Sequence, residues 1–132
     1  MRTLDPVELR NEHDVIVARQ LVRNVALELA FSLVDQTKMV TAASELARNT
    51  LIHGGGGSML CEVDEKDGRR CLRLTFEDRG PGIGSIALAM KDGWTSGNGL
   101  GMGLPGTRRL VHEFHIESEP GKGTRVVIAR WK

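Results

Sequence analysis

The sequence predicts a two-layer α/β (α+β) sandwich, a mixed, largely antiparallel sheet with helices on one face. Three observations lead there. Two long segments in the first half repeat their apolar residues with the period of an amphipathic helix. Two pairs of alternating segments are joined by Lys66-Asp67-Gly68 and by Pro120-Gly121-Lys122-Gly123, both hairpin signals. No repeat, low-complexity tail or linker interrupts the 132 residues, so a single domain over 1–132 is expected.

Taken in order, Val7–Glu12 reads as a short edge strand. From His13 to Ala30, Val15, Ala18, Leu21, Val22, Val25 and Leu29 mark the buried side of a first helix. A loop over Phe31–Val34 follows. Asp35 then caps a second helix running to about His53, with Met39, Val40, Ala43, Leu46, Ala47, Thr50 and Leu51 as its apolar stripe. Four glycines stop it. Ser58–Glu65 and Arg70–Asp78 form the first hairpin, Gly80–Gly84 a loop and Ser85–Lys91 a short helix. Asp92–Gly101 is polar and glycine-rich with no period, Leu104–Glu113 is helical, and His115–Glu119 with Thr124–Trp131 closes the chain as a second hairpin.

Hydrophobic residues make up 40% and charged residues 27%, values ordinary for a soluble globular protein. With a formal net charge of +1, no long-range field argues for nucleic acid or an anionic membrane, and neither is expected as a partner. No apolar run is long enough to span a bilayer and Met1–Asp14 lacks a signal-peptide pattern, so a cytoplasmic location is expected. Cys61 and Cys71 fall in opposite phases of their strands, which predicts reduced thiols on opposite sheet faces.

The stretch Gly97–Leu110, GNGLGMGLPGTRRL, contains the Gly101-x-Gly103-x-x-Gly106 spacing of a dinucleotide-binding turn. That reading needs a buried strand ahead of the glycines, and Lys91–Asn98 is polar and broken by Gly93 and Gly97. It is rejected. A glycine-rich loop feeding a helix can still cradle phosphate with its N–H groups, or serve simply as a hinged surface loop.

Two other clusters weigh on that choice. Glu45 and Asn49 in Glu45-Leu-Ala-Arg-Asn49 lie one turn apart on a single helix face, opposite the stripe of Ala43, Leu46, Ala47 and Thr50. Such a face is either solvated or lines a cleft, where a carboxylate and an amide can serve a hard cation and a nucleophile. Ile52 on the same side hints at a cover. In Phe76-Glu-Asp-Arg-Gly-Pro-Gly-Ile83, Asp78 closes a strand and Gly80 and Gly82 follow. This is either an ordinary turn or a carboxylate placed to accept from the exocyclic amine of a flat heterocycle.

Together, Glu45…Asn49, Asp78-x-Gly80-x-Gly82 and Gly99-x-Gly101-x-Gly103 resemble, in that order, the Bergerat ATP-binding fold of the GHKL family, shared by gyrase, Hsp90, histidine kinases and MutL. The chain has no room for the phosphoacceptor helix pair of a histidine kinase, or for the clamp domains of the others. It is most similar to the small anti-sigma factors and serine/threonine switch kinases of bacterial partner-switching, stressosome-type systems. The matching wording is Ala18-Arg-Gln-Leu-Val-Arg-Asn24, Ser44-Glu-Leu-Ala-Arg-Asn49, Glu77-Asp-Arg-Gly-Pro-Gly82 and Gly99-Leu-Gly-Met-Gly-Leu-Pro-Gly106.

The resemblance implies roles. Glu45 would be the general base toward a serine hydroxyl and Asn49 the Mg²⁺ ligand beside ATP. Asp78 would take the adenine amine, Gly80 and Gly82 would shape its pocket, Gly99, Gly101 and Gly103 would wrap the phosphates, and Thr124 would lie near the adenine. It also implies partners: a STAS-domain antagonist, RsbS-like or RsbR-like, phosphorylated on serine, and a downstream phosphatase or other output enzyme bound and activated on release. The alternative is an anti-sigma factor or nucleotide-gated binding switch with little kinase turnover. Anti-sigma members commonly carry an arginine ahead of the last glycine box, where this chain has Ser96, Gly97 and Asn98, a departure that fits the switch-kinase branch. Arg108 and Arg109 could substitute, though a solvated pair explains them too. His53 suits a contact with the helix C-terminus, and Trp94 suits either a partner anchor or a plug over the nucleotide.

Overall fold

Residues 2–82, 90 and 103–132 are described in a computed structural model. The elements are β1 (Arg2–Thr3), β2 (Val7–Leu9), α1 (Glu12–Glu28), α2 (Leu33–Ile52), β3 (Gly57–Lys66), β4 (Arg69–Asp78), α3 (Gly103–Arg108), β5 (Glu113–Glu119) and β6 (Gly123–Trp131). The expected helix at Ser85–Lys91 lies outside the described residues, apart from Met90, which packs on the core.

The helices start where side-chain caps allow. Asn11 closes a capping box at α1: its side chain accepts from Asp14 N–H, and Asp14 Oδ2 accepts from Asn11 N–H. At the other end, Ala30 adopts a left-handed φ of 60°, with its N–H on Leu27 O and Phe31 N–H on Ala26 O, a Schellman turn. The cap of α2 is Ser32, whose Oγ accepts from Asp35 N–H. This corrects the expectation that Asp35 is the cap. The helix begins three residues earlier, and Asp35 sits in its first turn, where it pairs with Arg130. The third helix is also shorter than expected: it stops at Arg108, and β5 starts at Glu113.

Asp67 (φ 54°) and Gly68 (φ 77°) form the two-residue turn between β3 and β4. The sheet runs β1-β3-β4-β6-β5, with β2 also on β3, and every pairing among the described strands is antiparallel. Strand β1 carried too short a pattern to be read from sequence. One face of the sheet, with Met59, Cys61, Leu72, Leu74, Phe76, Val126 and Ile128, meets Val22, Val25, Met39, Ala43, Leu46 and Ala47 from the helices in one continuous core. The register pairs Cys61 with Leu74 and Cys71 with Asp64, so the two buried thiols occupy opposite faces and both are free. No described helix is long and apolar enough to cross a membrane.

Two consequences of this packing place the site. Burying Phe76 and Val126 on the helix side forces Asp78, two residues after Phe76, and Thr124, two residues before Val126, onto the same side. The buried stripe of α2 likewise turns Glu45 and Asn49 away from the core centre.

Candidate functional site

Asp78 and Thr124 are opposite partners at the ends of β4 and β6. Asp78 Oδ1 accepts two backbone N–H bonds, from Gly80 at 2.9 Å and from Thr124 at 3.2 Å. The first is a local Asx turn; the second ties the carboxylate across the sheet. Oδ2 accepts no hydrogen bond from the described residues, which leaves a fixed carboxylate with one oxygen available. Thr124 Oγ1 lies 2.9 Å from Ser118 Oγ on β5, and Ser118 Oγ donates to Gly123 O at 3.1 Å. An open cleft of about 330 Å³ at this end of the sheet is lined by Asp78, Ser118 and Thr124 and also by Glu77, Glu117 and Arg125, which belong to the sheet face away from the helices.

The backbone around Asp78 is glycine by necessity. A Cβ on Gly80 would stand 2.7 Å from Gly54 Cα, so the strand end and the segment after α2 touch backbone to backbone. Gly82 has φ 77°, and a Cβ there would meet Glu119 O at 2.2 Å.

Glu45 and Asn49 share a half-buried face of α2. The Glu45 side chain is only 13% exposed, more covered than a solvated helix face, and among the described residues its cationic contact is Arg48 Nη1 at 3.6 Å. The carbonyl of Asn49 accepts the N–H groups of His53 (2.9 Å) and Gly54 (3.3 Å), so the residue that ends one functional face also shapes the exit toward Asp78. His53 is the C-cap of α2, in keeping with a role at the helix end. Ile52 is 43% exposed.

Gly99 and Gly101 lie outside the described residues, as do Trp94, Ser96, Gly97 and Asn98. Gly103 opens α3 with φ 66°, and its carbonyl accepts from Thr107 Oγ1 at 3.1 Å. Leu104 anchors α3 in the core, and α3 packs against α2, bringing the end of the last glycine box onto the helix that carries Glu45 and Asn49. Arg108 and Arg109 are both exposed. Asp78, Gly80 and Thr124 are thus in direct contact, Asn49 reaches them through its own backbone, and Gly103 joins through α3.

Among the described residues no three His, Cys, Asp or Glu side chains converge on a common point, so no protein-only metal cage is present there. Asn49 offers one amide oxygen on a half-buried helix face, so a cation held there would need its other ligands from a bound phosphate or water.

A profile of the histidine kinase-, DNA gyrase B- and HSP90-like ATPases matches residues 34–132, from the first turn of α2 through Asp78 and Thr124 to the end of the chain. The chain belongs to this ATPase family. Use of ATP follows from membership. Within the family it is 45% identical over 125 residues to the serine/threonine-protein kinase RsbT of Bacillus subtilis, covering 95% of this chain and 94% of that one. It is 36% identical over 122 residues to the anti-sigma F factor of Clostridium acetobutylicum, covering 86% and 82%. A solved structure of RsbU and RsbW domains from Mycobacterium tuberculosis shares the fold at a TM-score of 0.68 and 20% identity; it covers 100% of this chain and 33% of that one.

Three residues packed around Asp78 and Thr124 carry no local signal of that contact in the sequence. Gly54 was visible only as a helix stop, Gly123 only as a turn residue, and Ser118 not at all. Their importance comes from neighbours far along the chain, which no local pattern carries.

Proposed function

We propose that this chain is an ATP-dependent serine/threonine-protein kinase of a bacterial, cytoplasmic partner-switching module, acting as one domain over 1–132. Its substrate is the serine of a STAS-domain antagonist of the RsbS or RsbR kind, and its released form binds and activates a downstream output enzyme of a stressosome-type pathway. The observation that carries this reading is the pairing of two half-sites. One is a fixed Asp78 carboxylate whose Oδ2 accepts from none of the described residues; the other is a shielded Glu45 one turn from Asn49 on the helix that abuts it. The 45% identity to a serine/threonine-protein kinase over nearly the whole chain supports the same conclusion.

In this reading Asp78 Oδ2 accepts from the adenine amine, with Gly80, Gly82 and Thr124 forming the walls around it. Gly99, Gly101 and Gly103 supply N–H groups to the phosphates. Asn49 would hold Mg²⁺, which would supply charge neutralisation at the phosphates. Glu45 receives the proton of the partner's serine hydroxyl, and its low exposure keeps competing water away from that carboxylate.

The anti-sigma reading draws on the 36% identity to an anti-sigma F factor. One experiment separates the two. The purified protein is incubated with Mg²⁺, ATP labelled at the γ-phosphate and a lysate of its own organism, with Glu45→Ala alongside. A small protein that gains acid-stable label only with the wild type supports the kinase. Tight ATP binding with no transfer makes the chain a nucleotide-gated binding switch.

A further inference from the structure

Gly54 is the first of the four glycines that follow α2, and it occupies a position that a helix stop does not require. A Cβ built there would stand 2.3 Å from Asp78 Cγ, 2.4 Å from Asp78 Cβ and 2.6 Å from Oδ2. On its other side the Gly54 backbone touches Gly80, whose own Cβ would fall 2.7 Å from Gly54 Cα and 2.8 Å from Gly54 O. The next glycine, Gly55, has nothing within 4 Å of a Cβ. Contact with the acid is therefore particular to Gly54 and not a general property of the run.

The clash could not be relieved by a swing of the carboxylate alone. Asp78 Cβ is set by β4, and Oδ1 is held by the N–H groups of Gly80 and Thr124. The bare backbone of Gly54 thus closes the space on one side of the carboxylate and leaves Oδ2 in a single orientation. Its N–H is in turn bonded to Asn49 O, which links the placement of Asp78 to the helix that carries Asn49.

We infer that Gly54 is a positioning residue that fixes Asp78 and so sets the selectivity of the site for a purine bearing a 6-amino group over one bearing a 6-keto group. This rests on the assignment of Asp78 as acceptor for the adenine amine. An ionised carboxylate can only accept, so a 6-amino group satisfies Oδ2 while a 6-keto group sets two acceptors face to face. Discrimination of this kind survives only if the carboxylate cannot turn away or admit a bridging water.

The test measures binding of ATP and of ITP to the full chain, wild type and variants, at equal Mg²⁺. The wild type is expected to favour ATP by about 100-fold or more. In Gly54→Ala the preference falls below about tenfold. Gly55→Ala perturbs the same loop without meeting Asp78 and keeps the wild-type ratio. Asp78→Asn, whose amide can donate to a 6-keto group, collapses or reverses the preference in a Gly54 background.

Collapse in Asp78→Asn with an unchanged ratio in Gly54→Ala overturns the role of Gly54 alone. An unchanged ratio in Asp78→Asn overturns the adenine assignment and the proposal with it. Parallel losses for ATP and ITP in Gly54→Ala mark a merely structural glycine and also refute the inference. Should Gly54→Ala fail to fold, Gly54→Ala combined with Asp78→Gly removes the three atoms nearest the new Cβ, all of them in the Asp78 side chain. Recovery of folding is the expected result, and failure to recover would count against the contact.

Discussion

Arg130, near the end of β6, reaches Asp35 in the first turn of α2 through two hydrogen bonds to one oxygen, from Nη2 at 2.6 Å and from Nε at 3.2 Å. A third, from Nη1 to Leu110 O at 2.9 Å, ties in the segment that follows α3. Arg130 is 9% exposed and sits on the helix side of the sheet, opposite Leu72. One side chain thereby joins the sheet, the start of α2 and the exit of α3.

Removing it should loosen all three. Arg130→Met is expected to cost about 2 kcal/mol, read as a lowered urea midpoint at unchanged slope. The hydrogen bonds from Arg130 hold the Asp35 carboxyl below its ordinary 3.8. A group depressed in the folded state adds stability that is present above its unfolded value and lost as pH falls through the folded one. The gap between wild type and Asp35→Asn should therefore be full at neutral pH and close below about pH 4. A gap independent of pH would refute the pair as its source.

His112 gives a second pH signature. Its Nδ1 accepts the Trp131 N–H at 2.9 Å, which requires an unprotonated ring nitrogen. Burial first, and then Arg130 and Arg69, push its pKa below the ordinary 6.5. The unfolded chain binds a proton that the folded one refuses, so stability holds above about pH 6.5 and declines as pH drops through that value. His112→Asn, which keeps an acceptor without titrating, should flatten this decline in urea titrations from pH 5 to 8. An unaltered slope would assign it to another group.

The two α2 residues should separate chemistry from binding. Glu45→Gln is expected to lower the rate of phosphoryl transfer by roughly 10²- to 10⁴-fold with ATP affinity nearly unchanged. Asn49→Ala should instead remove the Mg²⁺ dependence of ATP binding, measured by titration with and without a chelator. Loss of ATP binding in Glu45→Gln would sink its role as a base.

The cysteines should be silent in the folded protein. Desolvation pushes Cys61 up to about 12 and raises Cys71 as well, and both are buried on opposite faces. Thiolate is the reactive form, so a thiol reagent at pH 8 should label neither until denaturant is added, then both. Labelling of one thiol in the native state would show that its strand opens locally.

Ala30 offers a gain. Its φ of 60° places a side chain where glycine is preferred, so Ala30→Gly should raise stability by about 0.5–1 kcal/mol, seen as a higher melting midpoint. A loss would mean that the Ala30 methyl group makes a compensating contact.

Much of this protein was legible in its sequence, where local rules operate. The apolar period of Val15 to Leu29 and of Met39 to Thr50 determined two helices and the face each buries. The Asp67-Gly68 turn set the β3–β4 hairpin, and strict alternation placed the two thiols on opposite faces. The Glu45 and Asn49 face followed from 3.6 residues per turn. Helix ends were less legible: Ser32 and Asp35 are both good caps, and the choice fell to Ser32 because Asp35 is drawn to Arg130, 95 residues away. The site's inner construction was decided only in three dimensions. Asp78 is held by Thr124 across a strand pair and hemmed in by Gly54 from the end of a helix, and both contacts depend on the sheet closing under α2. Spacing along a chain specifies periodic faces, whereas an approach of a few ångströms between distant backbones exists only once the core has packed.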